Sequence, residues 1–600
     1  MKKFIHIITE YPKSVIILNL LLIGILALPI YRININPDLQ ALIPADDPDV
    51  IRMEQLEDQF GGLDVILIIY HAPDVFAASG LAMMDELTTD LEDLQGIDHV
   101  ITLTNYESII SDDESMSVDR FIQSLPRTQA ESDAVAAKAA SDPMIGRLIV
   151  SEDRQYTACL IFTDPAADEV SLVDTLRGLL LPYQAVGHDL KLGGMPVIRS
   201  HISVDISHDT NTFIPAGMLL IAVLLFFSFR SRRGVVLPLL VVLLSILGTL
   251  GLMSWMGLML SVLSSIMPIM LIAVASAYGI HIITRYFEDC AKMDESADSK
   301  AIVSSVIEHM LRPLFLAALT TVIGFLSLLS HILPASREVG VLTAFGVTLA
   351  FGLSITFIPA VLVIFNKPSA ARQNKNTANR LLSRVLAWIG GIVFHHRGLI
   401  LIVFGIITMG SLIGIPRVEL DSNPLNYYSP QSSVRVVNTI IDENFGGSTT
   451  MSVVVDGDIK SPEVLLQIEK IQDYLEDKKG VGYTLAITDF IKLMHQSMHG
   501  GDMDYYKIPD SRELVSQYLL LYSWESSSGY LDTYVDYDYR EAQIVIRLNT
   551  MDVYYMVDLQ KELNSYLAEN IHVENQPKSE GYAVLLGNLM PMMVKGQTRS

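Results

Sequence analysis

Long apolar and long polar stretches alternate along the chain. Residues 14–31, 213–229, 235–256, 260–284, 311–333, 339–365 and 398–416 are apolar and mostly 17 residues or longer. A bilayer core takes about 20 helical residues, with a working range of about 17–25, so the pattern predicts seven membrane-spanning helices. Between the first and second stretch, and after the seventh, the period changes. β-Branched runs such as LDVILIIY and TMSVVVD alternate there with amphipathic segments such as AMMDELTTDLEDLQG and PEVLLQIEKIQDYLEDKKG. That strand–helix rhythm predicts α+β sandwiches.

The two polar regions repeat one another. Phe60-Gly61-Gly62 recurs as Phe445-Gly446-Gly447, each after a helical segment and before a strand. Leu91-Glu92-Asp93 and Gly96 recur as Leu475-Glu476-Asp477 and Gly480. Arg154 answers Arg540, and GGMPVIRS near 200 answers GNLMPMMVKG near 595. The offsets run from 384 to 394 residues, so one unit, a membrane helix followed by a lobe of about 180 residues, is duplicated. The glycine pairs fit a turn between helix and strand; no phosphate-binding glycine pattern follows a strand.

Composition orients this arrangement. Half of the 600 residues are hydrophobic, yet the formal charge is −25. Residues 33–210 hold 32 Asp and Glu against 9 Lys and Arg, and residues 419–600 hold 27 against 14. The basic residues gather elsewhere: Lys2 and Lys3, then Arg230, Arg232 and Arg233, then Lys367, Arg372, Lys375, Arg380, Arg384 and Arg397. Short loops rich in Lys and Arg stay in the cytoplasm. With seven spans, all three clusters fall on that side and both acidic lobes fall outside. Such acidity also argues against a nucleic-acid partner. Cys159 and Cys290 lie on opposite sides and cannot pair. His395-His396 diverge on a helix and offer no metal site. The segment 379–394, with Arg380 and Arg384 opposite Leu and Trp388, fits a helix at the inner membrane surface. No pairing of nucleophile and base is suggested, so no enzyme and no cofactor is expected.

The fourth apolar stretch contains IAVASAYGIHIITRY, with Ser276, Tyr278 and His281. No Asp, Glu or Lys occurs from Leu260 to Tyr286. Ala277 and His281 lie one turn apart on one helical face.

One span, an outer lobe, five spans, a basic linker and the same again resembles the layout of the resistance–nodulation–division (RND) superfamily. The chain looks like its MMPL-type branch, related to hopanoid and mycobacterial lipid exporters. PDLQALIPADDP at 37–48 resembles the family's acidic, proline-rich lead into the first outer lobe. PLFLAALTTVIGFLSLL at 313–329 resembles its fifth span, and EVGVLTAFGVTLAFGLSITFIPAVL at 338–362 its sixth. Pro268 and YGIH at 278–281 resemble the fourth.

The resemblance implies an α-helical membrane bundle with two repeated extracytoplasmic α+β porter domains of the ferredoxin-like sandwich type. The expected segments are a first membrane helix (1–32), a first periplasmic porter domain (33–210) and a five-helix bundle (211–366). A basic linker with its interfacial helix (367–397), a seventh membrane helix (398–417) and a second porter domain (418–600) follow. About twelve spans are expected in a full protein, with the sequence stopping before the eighth. The seventh helix is expected to pack beside the first-half bundle. The implied function is export of a hydrophobic or lipid-like substrate across a bacterial inner membrane, driven by an ion. The implied partners are membrane lipids, a periplasmic carrier and a second copy of the chain. The family's intramembrane relay aspartate falls at Ala277, so that role does not carry over. The remaining ion-coupling candidates are His281, Tyr278, Ser276, Thr320 and Thr321. Gly324, Gly340, Gly346 and Gly352 are candidate helix-packing positions, since small residues let helices approach closely in lipid. The missing acid keeps a second reading open: a non-transporting, sterol-sensor-like receptor or protein-export helper of the same architecture.

Overall fold

A computed structural model describes the chain apart from Met1 and residues 62–63, 113–114, 141, 165–166, 293–297, 366–379, 416–422 and 526–529. Gly62 and most of the basic linker, with Lys367, Arg372 and Lys375, therefore lie outside the described residues. The chain divides into two compact units. One comprises Met1–Leu42, Val204–Leu420 and Met593–Ser600; the other comprises Ile43–Ser203 and Asp421–Met592.

Among the described residues, seven helices are long and apolar enough to cross a membrane: Pro12–Arg32, Met195–Phe229, Arg232–Trp255, Ser264–Lys292, Ser299–Ser330, Pro334–Ile364 and Arg397–Gly414. We call them spans 1 to 7. The second is longer than its apolar stretch. Its helix starts at Met195 and runs unbroken through the expected domain boundary at 210, because the polar turns before Thr212 keep helical backbone up to Gly194 (φ 97°).

Spans 3, 4 and 6 are the most buried, with 56%, 56% and 61% of their apolar windows enclosed. Small residues bring the helices together. A Cβ at Gly251 of span 3 would overlap the carbonyl oxygen of Leu26 in span 1. A Cβ at Gly279 of span 4 would stand 2.8 Å from Pro238 of span 3. At Gly346 of span 6 it would meet Leu271 and the Thr249 hydroxyl at 2.6 Å, and at Gly340 the Phe325 carbonyl oxygen at 2.6 Å. Gly324 and Gly352 have open space where a Cβ would go, so close packing does not require glycine at those two positions. The expectation for span 7 is corrected. It has no buried residue, and its main neighbour is the preceding helix Arg380–His395. Its sequence is apolar all round and suits lipid on every side.

The second unit contains two four-stranded sheets. In the first lobe the chain order is helix α1 (Pro48–Phe60), strand β1 (Ile66–His71), α2 (Ala78–Glu92) and β2 (Ile97–Ile101). The hairpin β3 (Glu107–Asp112) and β4 (Ser115–Arg120) follows, then β5 (Tyr156–Thr163), α3 (Glu169–Val186) and β6 (Asp189–Gly193). The sheet order is β2-β5-β1-β6, all antiparallel. The second lobe runs α4 (Ser433–Asn444), β7 (Thr449–Asp456), α5 (Pro462–Glu476), β8 (Val481–Leu485), α6 (Ile487–Ser497), α7 (Arg512–Glu525), β9 (Glu541–Leu548), α8 (Val553–Asn570) and β10 (Ser579–Glu580). Its order, β8-β9-β7-β10, is the same. Both are split βαβ sandwiches of βαββαβ order.

The register fixes the repeat. Ile66 pairs with Ile161 and Met451 with Ile546, each 385 residues on. Gly96 and Gly480 share φ 91° and 92°, and Gly194 and Gly581 both have φ 97°. Two sequence matches are corrected by this register. Arg154 corresponds to Tyr539, not Arg540: both precede the third sheet strand by two residues with a left-handed backbone. GGMPV corresponds to EGYAV at 580–584, not to GNLMP, because Gly194 and Gly581 are the turns that start the following helices.

The lobes exchange their first helices. Helix α1 packs on β10 of the second lobe and α4 packs on β6 of the first. Leu56 and Phe60 of α1 cluster with Val454 of β7. Val437 and Ile441 of α4 close against Gly193 of β6. Polar pairs frame the exchange: Arg52 Nε meets Glu580 at 3.0 Å, Gln59 donates to Glu541 at 2.6 Å and Asn588 donates to Asp49 at 2.6 Å. Each large apolar side chain buried this way contributes about 1.5–3 kcal/mol.

The repeats diverge after β2 and β8. Up to that point their caps match. Asn105 Oδ1 accepts from the Thr102 amide at 2.7 Å, and Asp489 Oδ2 accepts from the Ala486 amide at 2.9 Å. Beyond them the first lobe forms the β3–β4 hairpin where the second forms α6; the helix Gln129–Ala140 of the first lobe then answers α7 of the second. The hairpin and α6 pack together, with Ser497 Oγ donating to the Ile109 carbonyl at 3.3 Å.

Candidate functional site

Span 4 has two unlike faces. Leu271, Ala275, Tyr278, Ile282 and Tyr286 are buried in the bundle. On the other flank Ala273, His281, Thr284 and Glu288 are exposed and Ala277 is half-buried. These five recur every three or four residues and form one stripe along the helix. Span 5 presents a comparable stripe of exposed Ala317, Thr320, Gly324 and Ser327. Spans 1 and 2 expose Leu18, Leu21, Ile25, Leu219, Leu224 and Phe227, and span 5 also exposes Phe315, Leu316 and Ile323 beside its stripe. Large aliphatic side chains suit lipid, whereas small and hydroxyl-bearing ones suit close contact with another helix.

The five ion-coupling candidates fall on different sides of these faces. Ser276 is buried and donates to the Ala273 carbonyl at 3.0 Å. The Tyr278 ring lies edge-on to Phe351 with centroids 6.4 Å apart. Its hydroxyl is buried beside Thr321. Thr320 and Thr321 both donate to the Ala317 carbonyl at 2.9 Å, so their hydroxyls are engaged within span 5. His281 sits on the outward stripe with Ala277, away from Tyr278 and Ser276. The bundle thus gathers Tyr278 and Thr321 but not the histidine.

The buried carboxylate of span 4 lies further along and was not singled out from sequence. Asp289 is 4% exposed. Arg285 Nε stands 3.1 Å from its Oδ1, and Ser305 Oγ of span 5 donates to its Oδ2 at 2.9 Å. This node joins spans 4 and 5 at the end of the apolar run. The i,i+4 spacing of Arg285 and Asp289 was the available signal; the Ser305 partner, 16 residues on, was not. A second polar link joins Thr356 of span 6 to Asn19 of span 1 at 3.2 Å.

Among the described residues of the lobes, two cavities have ionisable walls. One of 330 Å³ lies between β2, the β3–β4 hairpin and Tyr522, with Glu92, Asp98, His99, Glu107 and Arg120 in its wall. Asp98 accepts from His99 Nδ1 at 2.9 Å. The other, of 660 Å³, is acidic, with Glu152, Asp153, Asp442, Glu443 and Glu476. Burial pushes the Asp442 carboxyl up to about 6, against two bonds from Ser448.

A family model described as the MMPL family matches residues 72–392. Over 382 residues the chain is 22% identical to a Methanocaldococcus jannaschii protein named only as a membrane protein; the match takes in 61% of this chain and 93% of that one. Over 228 residues it is 28% identical to the hopanoid transporter HpnN of Rhodopseudomonas palustris (strain TIE-1), covering 37% of this chain and 24% of the relative.

Proposed function

The chain belongs to the MMPL family, a branch of RND-type membrane proteins, and from that premise we propose that it exports a hydrophobic or lipid-like molecule, driven by an ion. At the coarser level it is a multi-pass membrane protein, with seven apolar helices, and its family and its hopanoid-transporter relative support transport of lipid-like substrates rather than enzymatic chemistry. The observation that carries the finer reading is the stripe on spans 4 and 5. It carries small and hydroxyl-bearing residues, and the imidazole of His281 lies on it. In this reading further spans, as in a twelve-span arrangement, cover the stripe and handle the ion there. The two lobes stand outside a bacterial inner membrane and pass the substrate to a periplasmic carrier. A homo-oligomer is compatible with the same arrangement.

Ala277 favours a second reading. A stripe without a carboxylate in its apolar centre also suits a receptor-like relative that transports nothing. Proteoliposomes with the chain inserted, loaded with a labelled hopanoid or similar polycyclic lipid and given an imposed pH gradient, separate the two. Gradient-dependent movement of the lipid supports export. Binding without movement under either gradient supports the receptor.

A further inference from the structure

The end of helix α6 carries the sequence MHQSMHGGDM, in which Met494-His495 and Met498-His499 repeat at a spacing of four. Four residues are about one helical turn, so the two imidazoles lie on one face. Their centroids are 4.9 Å apart. Two imidazoles on one tetrahedral ion, each with a metal–nitrogen bond of about 2.0–2.1 Å, place their ring centres about 5 Å apart.

The tautomers are fixed by geometry. His495 Nδ1 meets the Lys507 carbonyl at 2.9 Å, and His499 Nδ1 meets the His495 carbonyl at 2.8 Å. A carbonyl oxygen only accepts, so both Nδ1 atoms carry the proton and both Nε2 atoms present a lone pair. No hydrogen bond among the described residues engages either Nε2. Histidines that bind metals characteristically donate their second N–H to a carbonyl in this way, which orients the ring and raises its basicity. Ring packing holds the pair further: Tyr505 stacks on His499 at 3.7 Å, and Tyr518 lies against His495 at 6.0 Å.

The carboxylates of Asp502 and Asp504 follow in sequence, with Asp502 Oδ1 accepting the Asp504 amide at 3.0 Å, and two thioethers stand at the same helix end. Met498 is 38% and Met503 71% exposed, and Gln496 Nε2 contacts Met503 Sδ at 3.0 Å. No group of three His, Cys, Asp or Glu is assembled among the described residues, so the hard donors that would complete a zinc shell are missing. Thioether sulfur with imidazole nitrogen is a soft set and selects Cu(I). The first lobe has no counterpart, because its chain forms the β3–β4 hairpin where the second forms α6.

We propose that this helix end is a copper(I) site, with Nε2 of His495 and His499 as ligands and the thioether of Met498 or Met503 completing the shell. The test is titration of the detergent-purified chain with Cu(I), under anaerobic reducing conditions, against a chromophoric Cu(I) chelator. The expected result is one equivalent per chain, with affinity reduced at least tenfold in His499→Gln and in Met498→Leu/Met503→Leu. X-ray absorption should show both nitrogen and sulfur neighbours. His499 is exposed, so His499→Gln leaves the fold intact, which its thermal midpoint checks; His495→Gln, which is buried, is the second variant. Absence of binding at micromolar Cu(I), or affinity unchanged in both histidine variants, overturns the site. Tighter binding of Zn(II) than Cu(I), with no sulfur in the absorption spectrum, overturns the copper assignment.

Discussion

Arg154 and Tyr539 occupy equivalent positions of the two lobes and share a left-handed backbone, with φ of 60° and 56°. One is a cation and the other an aromatic, and neither is a residue that favours this conformation. Their side chains have diverged while the turn into the third sheet strand has kept its shape. The conformation therefore belongs to the repeated backbone, and substitutions at such turns report on the duplication itself.

The helix-to-strand turns give the first prediction. Gly447 has φ 117°, and a Cβ there would overlap the Leu548 carbonyl oxygen. Gly61, in the corresponding turn of the first lobe, has φ 83° with nothing within 4 Å of a Cβ. Gly447→Ala therefore meets both backbone strain and a fixed neighbour, and should lose more than about 2 kcal/mol. Gly61→Ala meets only the strain, about 1 kcal/mol. Thermal midpoints of the two variants in detergent check the order; equal losses would contradict it.

The helix exchange gives the second. Glu580 is largely buried, and burial raises its carboxyl pKa against the lowering effect of Arg52. Arg52 is 38% exposed, so solvent screens the pair and its coupling is about 1 kcal/mol. Arg52→Ala should cost more than that coupling, because it leaves Glu580 without its cation. A double-mutant cycle on Arg52→Ala and Glu580→Ala measures the coupling. A coupling of zero would mean that this ion pair adds nothing to the docking of α1 on β10.

Much of this architecture was legible in the sequence, and the limits have physical reasons. The seven spans and the duplicated strand–helix rhythm follow from apolar length and period. The exchange of α1 and α4 does not. Each helix buries the same amphipathic face whether it packs on its own lobe or on the other, so no pattern distinguishes the two. The GNLMP match failed because Pro591 looked like Pro196, whereas the conserved geometry was the φ of Gly194 and Gly581. In the membrane, helical spacing put Ala277 and His281 on one face. Which face turns outward depends on neighbours such as Pro238 against Gly279, contacts between distant positions that no single-helix pattern contains. The Asp289–Ser305 bond escaped for the same reason.

Asp442 gives a pH-dependent prediction. Its carboxyl is held at about 6 when folded, against about 3.9 in an unfolded chain. The folded state thus binds the proton more tightly, and ionisation opposes folding. The penalty is absent below about pH 4, grows as pH rises through 6 and is complete by pH 7, reaching at most about 3 kcal/mol. Asp442→Asn keeps an oxygen for the Ser448 bonds and removes the charge. It should be more stable than the parent at pH 7, with the difference shrinking toward zero near pH 4. A difference that is constant across this range would show that Asp442 titrates like a solvated carboxylate.

The last prediction concerns His281. It is exposed on span 4, makes no hydrogen bond among the described residues and shares its stripe with Ala277 and Thr284. His281→Gln keeps polarity and approximate size while removing the imidazole. An exposed substitution without partners should change stability by less than about 0.5 kcal/mol, so the variant should insert and unfold like the parent. Any change in transport then reports on chemistry rather than folding. If the stripe handles a proton, lipid movement in proteoliposomes should lose its dependence on the pH gradient in His281→Gln and retain it in Ser276→Ala, whose hydroxyl is committed to the Ala273 carbonyl. Gradient-dependent movement that survives His281→Gln unchanged would remove the histidine from the coupling path. The stripe would then remain a helix-docking face, and the ion would have to be handled by groups outside spans 4 and 5.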